Sequence, residues 1–177
     1  MNAETPIRKP RGAFFGRRKG HPLRAAQAGL IESLLPGLAI DLGQPAPRDI
    51  GTLFKAPMDA VRLEIGFGGG EHFLHEARAK REIGFLGCEA YVNGMAKALA
   101  AIEAEGLHNI RLHHGDALAL IDWLPEGALA RVDILYPDPW PKRRRIALRH
   151  RLGRLRRMGA IAVYPLTAVS LDRRARR

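Results

Sequence analysis

Val61-Arg62-Leu63-Glu64-Ile65-Gly66-Phe67-Gly68-Gly69-Gly70-Glu71 is the stretch that decides the fold of this 177-residue chain. Its first half is an apolar segment of strand length, and its second half opens a helix, with four glycines at the junction. Glycines there let the backbone turn tightly and approach a ligand with no Cβ in the way. A strand, a glycine turn and a helix in this order are the first unit of a nucleotide-cofactor α/β fold.

Outward from that stretch the pattern stays regular. Residues 61–65 predict a strand, 70–80 a helix, 84–89 a strand, 92–105 a helix, 109–113 a strand, 117–124 a short helix and 132–136 a strand. Strands alternating with helices of about 10 to 14 residues predict a doubly wound, mostly parallel α/β sheet covered on both faces. Before it, residues 23–35 predict a helix stopped by Pro36 and Gly37, and residues 39–58 a loop-rich connection. Beyond 142, a helix over 146–158 and a strand over 160–164 are the remaining candidates. The chain divides into a basic flexible arm (1–22), a cofactor-binding domain (23–142) and an arginine-rich tail (143–177).

The glycine turn discriminates between cofactors. A dinucleotide fingerprint G-x-G-x-x-G begun at Gly66 needs glycine at position 71, where this chain has Glu71. A carboxylate there also occupies the positive helix end that a pyrophosphate requires. S-adenosylmethionine has no phosphate and carries a sulfonium and an ammonium, which suit a nearby Glu64. Gly66 and Gly68 are then the backbone of the cradle; a purely structural glycine turn is the competing reading. Glu89 ends the second strand 23 residues after Gly66, where such folds place an acid on the ribose hydroxyls. Without the glycines upstream it would read as a surface glutamate. Asp116, in Gly115-Asp116-Ala117, follows the third strand and suits either the adenine amino group or a helix N-cap. The fourth strand runs into Tyr136-Pro137-Asp138-Pro139-Trp140-Pro141-Lys142, a stiff loop with an acid at the edge where α/β folds build their active sites.

Composition bounds the partners. The formal charge is +11, and residues 143–177 carry all of it, with 12 arginines and one acid, Asp172. Residues 1–142 are neutral, with 17 basic and 17 acidic residues. Within them Arg8, Lys9, Arg11, Arg17, Arg18, Lys19 and Arg24 are opposed only by Glu4, an arm suited to phosphates. A solvated terminus explains the same charges. Apolar runs fall far short of the roughly 18 residues of a membrane span, and residues 1–18 lack the apolar core of a secretory signal. The single cysteine, Cys88, excludes an internal disulfide, so a cytoplasmic location is expected. The seven histidines include His72 and His75 on one helix and the pair His113-His114, with no thiol or carboxylate set beside them, and no metal site is expected.

Taken together the motifs resemble the bacterial tRNA (guanine-N7-)-methyltransferase family. The resemblance rests on Arg17-Arg18-Lys19, Glu64-Ile65-Gly66-Phe67-Gly68, Gly87-Cys88-Glu89-Ala90-Tyr91, Asn109-Ile110-Arg111, Gly115-Asp116-Ala117 and, most specifically, Pro137-Asp138-Pro139-Trp140-Pro141-Lys142. It implies the Rossmann-like class I methyltransferase fold, S-adenosylmethionine contacts by Glu64, Gly66, Gly68, Glu89, Asp116 and Asp138, and Asp138 as the active-site acid. It also implies tRNA as partner, with Lys142, Arg143 and Arg144 on the RNA. The likeness ends at about Arg144. Members of the family continue through further strands to a threonine-x-x-glutamate segment, whereas here Thr167 is followed three residues later by Ser170. The expectation is a sheet lacking its last strands, a tail replaced by a frame shift, and weak activity. A non-catalytic RNA-binding protein derived from such an enzyme is the competing reading. One domain of this size is compatible with a monomer.

Overall fold

The computed structural model describes residues 20–135 and the strand 160–164. The core is a five-stranded parallel sheet: β1 (Ala60–Ile65), β2 (Ile83–Cys88), β3 (Ile110–His113), β4 (Arg131–Leu135) and β5 (Ala160–Tyr164), in the order β3-β2-β1-β4-β5. The strand expected over 160–164 is therefore present and covers the outer side of β4. Helix 146–158 lies outside the described residues.

Period-two alternation assigns each side chain to a face. Val61, Leu63 and Ile65 of β1 join Leu86, Cys88, Val132 and Ile134 in one apolar cluster, closed by α5 (Ala117–Trp123) through Leu120 and Ile121 and by the 3-10 turn Ile50–Leu53. On the other face Phe85, Ile110 and Leu112 pack beneath α3 (Glu71–Ala79) and α4 (Val92–Glu105) through Phe73, Leu74, Met95 and Leu99. β2 is buried on both sides, so a bulky residue would not fit everywhere along it. A Cβ at Gly87 would lie 2.7 Å from the Phe73 ring and 2.8 Å from that of Phe67.

The N-terminal helical region departs from expectation. α1 spans Ala25–Ser33, and a second, four-residue helix, α2 (Leu35–Leu38), contains Pro36 and Gly37. Proline stands in the first turn of α2, where its missing N–H leaves no intrahelical bond unmade, so it starts a helix instead of stopping one. Ala39 then bridges Leu112 and shields the β3 edge.

Candidate functional site

Gly66, Gly68 and Gly70 all adopt positive φ, at 71°, 58° and 84°, which L side chains rarely tolerate. Among the described residues, a Cβ on Gly66 or Gly68 would meet nothing within 4 Å at the carboxyl edge of the sheet. Gly70 caps α3 in the left-handed conformation. Behind the loop stands Gly94 of α4, whose missing Cβ would fall 2.2 Å from the Gly68 carbonyl oxygen. Sequence reasoning passes over Gly94, because a helical glycine signals a close approach only once its neighbour is known.

Glu89 braces the same loop. Its Oε2 accepts the Gly68 N–H at 2.6 Å, and its Oε1 accepts those of Ala90 and Tyr91 at 2.8 Å each. The expected cofactor acid is thus also the clasp that joins the end of β2 to the glycine turn. A carboxylate has about four lone-pair sites, so one remains for a ribose hydroxyl. Asp116 accepts the Leu118 N–H at 3.1 Å and N-caps α5, realising the capping reading without removing the other. Burial pushes the Cys88 thiol well above its ordinary pKa, and the nearby Glu89 and Asp116 carboxylates push it further, so the thiol is inert.

Glu64 sits beneath α3, 4% exposed, and its Oε2 lies 2.7 Å from Nδ1 of His72. Burial raises its pKa above the ordinary carboxylate value, against the opposing pull of His72. In the sequence His72 reads as an ordinary polar residue. Nothing local reveals the pairing, since it depends on the loop folding α3 back across β1. His113 reads the same way. Its Nε2 is buried without a hydrogen-bond partner, and burial lowers its pKa, which leaves a neutral polar atom at the end of β3 for a ligand or water to satisfy.

This arrangement fits S-adenosylmethionine better than a dinucleotide. Glu71 occupies the first turn of α3 and pairs with Lys97, so the helix end that would receive a pyrophosphate already holds an anion. Among the described residues, the glycine turn, the acids after β2 and β3 and the buried His113 nitrogen all stand at the carboxyl edge of the sheet, a set of donors and acceptors that suits a nucleoside with a cationic end. Among the described residues no three His, Cys, Asp or Glu side chains are grouped to hold a metal ion, and no helix is long and apolar enough to cross a membrane. Asp138, Lys142, Arg143 and Arg144 lie outside the described residues.

Comparison with known proteins follows the same line. Residues 58–161 match the family described as "Putative methyltransferase". A tRNA (guanine-N(7)-)-methyltransferase of Rhodopseudomonas palustris (strain BisB5) is 62% identical over 133 residues, 75% of this chain and 52% of the relative. One from Brucella anthropi is 54% identical over 144 residues, 81% of this chain and 62% of the relative. The chain spans about half the length of the curated relatives it matches. Among solved structures, a 16S rRNA methyltransferase aligns with a TM-score of 0.46 at 21% identity, over 60% of this chain and 54% of its own. Identity as high as that to the Rhodopseudomonas and Brucella proteins, with a family match over more than half of the chain, has one meaning: the chain belongs to the bacterial tRNA (guanine-N7-)-methyltransferase family.

Proposed function

We propose that the chain binds S-adenosylmethionine at the glycine loop and serves methyl transfer to N7 of a guanosine in tRNA. The observation that carries this reading is the loop itself: two positive-φ glycines with no described residue within 4 Å of an added Cβ, clasped by Glu89, on a chain 62% identical over 133 residues to a tRNA (guanine-N(7)-)-methyltransferase. In this reading Glu64 faces the cationic end of the cofactor, Gly66 and Gly68 lie along it, Glu89 takes the ribose and Asp116 the adenine. When bound, S-adenosylmethionine supplies an electrophilic methyl group on a sulfonium.

Guanine N7 has a lone pair in the ring plane, so no base is needed to remove a proton before attack. The protein's task is alignment, which alone is worth several kcal/mol of barrier. Asp138, three residues beyond β4, would stabilise the positive charge that the purine gains and accept bonds from the base edge. Trp140 would offer a stacking surface to an extruded guanine. Lys142, Arg143 and Arg144 would hold phosphates, with residues 1–22 and 143–177 as basic flanks to the cofactor domain at 23–142. Concentration of the net charge in 143–177 favours a second reading, a non-catalytic RNA-binding protein.

Incubation of the purified chain with methyl-labelled S-adenosylmethionine and unmodified tRNA separates the two. Label recovered in N7-methylguanosine supports the enzyme. Cofactor binding without transfer refutes transferase activity in this chain, and tRNA binding without any cofactor binding selects the second reading.

A further inference from the structure

Asn93, in the first turn of α4, holds a segment of chain that has a role in none of the steps above. Its Oδ1 accepts the Gly20 N–H at 2.9 Å, and its Nδ2 donates to the His21 carbonyl at 2.7 Å, across 73 and 72 residues of sequence. A side-chain amide carries a donor and an acceptor together, so it can take the N–H of one residue and the carbonyl of the next at once. Asparagine near a helix start ordinarily bonds its own backbone, whereas this one is committed to a distant segment. Gly20 also lies flat against Tyr91, because a Cβ there would fall 2.2 Å from the Tyr91 hydroxyl oxygen. Beyond His21 the chain stays on the same helix, with α1 packed along α4. The clamp stands next to the glycine loop. Gly94, the residue after Asn93, is the one whose Cβ would fall 2.2 Å from the Gly68 carbonyl oxygen, and Tyr91, two residues before, gives its N–H to Glu89. Lys19 is bonded to Gly20, with Arg18 and Arg17 before it. A residue spans at most about 3.6 Å of chain, so even Arg17 has its Cα within roughly 11 Å of that of Gly20.

We propose that Asn93 is a positioning residue for the RNA substrate: by holding Gly20 and His21 on α4 it fixes the root of the basic segment beside the cofactor loop, so that Arg17, Arg18 and Lys19 meet phosphates close to the guanosine to be methylated. The proposal rests on the tRNA and cofactor reading given above. Phosphate contacts carry no base information, and what they add to the choice of one guanosine is register and orientation. Register requires cations fixed relative to the methyl group, since a cation on an untethered segment attracts RNA without placing it. Asn93 supplies that fixed point. Its amide is turned to the segment and away from the cofactor, so removing it leaves the Glu89 clasp and the Gly94 seat in place.

A double-mutant cycle on the full chain tests this, with affinity for unmodified tRNA measured at one salt concentration. Its four members are the wild type, Asn93→Ala, the triple variant Arg17→Gln, Arg18→Gln and Lys19→Gln, and the combination. Asn93→Ala should weaken tRNA binding at least about fivefold, the cost of ordering at the interface a segment that the clamp otherwise holds in place. The triple variant should lose more, and the combination should bind no more weakly than the triple variant, because without the cations the clamp has nothing to position. Circular dichroism checks folding, and calorimetry with S-adenosylhomocysteine should give the same affinity in all four. Unchanged tRNA affinity in Asn93→Ala overturns the proposal. So do losses that multiply in the combination, which a merely structural role for Asn93 would produce, and so does a loss of S-adenosylhomocysteine binding confined to the Asn93 variants. A triple variant that binds tRNA as the wild type does overturns the proposal and leaves the cofactor reading standing. Failure of the folded wild type to bind tRNA or S-adenosylhomocysteine overturns the underlying reading itself, a different outcome from binding without coupling.

Discussion

A carboxylate buried under a helix costs stability unless something uses its charge, and Glu64 is in that position. Burial pushes its pKa up, so the fold favours the protonated form. Whatever stability Glu64 lends is therefore present below the ordinary carboxylate range and is lost as pH rises through its raised folded value. Glu64→Gln removes the titration and keeps the shape. Thermal unfolding of the ligand-free variant should gain on the wild type between about pH 4 and about pH 8, while affinity for S-adenosylmethionine falls at least about tenfold for the missing charge-assisted hydrogen bond. A variant that unfolds earlier than wild type at the higher pH would show the ionised carboxylate to be stabilising. Asn109 behaves in the opposite way. Its buried Nδ2 donates to the carbonyls of Ala77, Lys80 and Ile83, at 3.0 to 3.1 Å, and stitches the end of α3 to the start of β2. Asn109→Ala should cost roughly 1–3 kcal/mol in chemical denaturation by removing the buried donor that these carbonyls share, with cofactor affinity retained in the folded fraction. In the sequence Asn109 stands out as part of a family-like tripeptide, and the structure shows it to be a structural residue remote from the loop it helps to position.

At the level of elements, the glycine turn gives the sharpest test because a matched control exists. Gly68 and Gly127 have φ of 58° and 73°, and neither has anything within 4 Å of an added Cβ. Alanine at either carries the same left-handed strain, about 1–2 kcal/mol. Both variants should lose comparable stability, yet only Gly68→Ala should lose S-adenosylmethionine binding, because only its methyl stands in the cofactor's path. Equal affinities in the two variants would remove the loop from the site. The turn is legible in the sequence because glycine spacing and strand-to-helix switching are local signals. The same holds for α4, found over the range its apolar spacing predicts, and for β1 to β4, which begin or end within one residue of expectation. What escapes a sequence reading is what the third dimension supplies: the Glu89 clasp on Gly68, the seat of Gly94 against that loop, and His72 on Glu64. Each joins residues eight to twenty-six positions apart, whose proximity no hydrophobic period encodes. Pro36 misleads for a related reason. Proline forbids a helix interior but suits a first turn, and only the backbone shows which it occupies.

Across the whole molecule, charge and chemistry are segregated. The neutral 142 residues hold four of the five described strands, the loop and the acids, and the 35 that follow hold β5 and a net charge of +11. Arginines recruit RNA through phosphates, and such pairings position a nucleic acid without selecting a base. Under that division, neutralising part of the tail should weaken all RNA alike. Replacing Arg173, Arg174, Arg176 and Arg177 with glutamine leaves β5 intact, since all four lie beyond Tyr164. The logarithm of tRNA affinity against the logarithm of salt concentration should then flatten by about 1 or more, since each phosphate no longer neutralised by an arginine removes roughly 0.7 to 0.9 from the slope. Affinity for an unrelated RNA duplex should fall by a similar factor, and that for S-adenosylmethionine should not move. Any discrimination between tRNA and duplex would be left to other residues, Lys142, Arg143 and Arg144 among them. A selective loss of tRNA binding, with duplex binding and salt slope preserved, would instead make the terminal arginines a recognition element and end that division of labour.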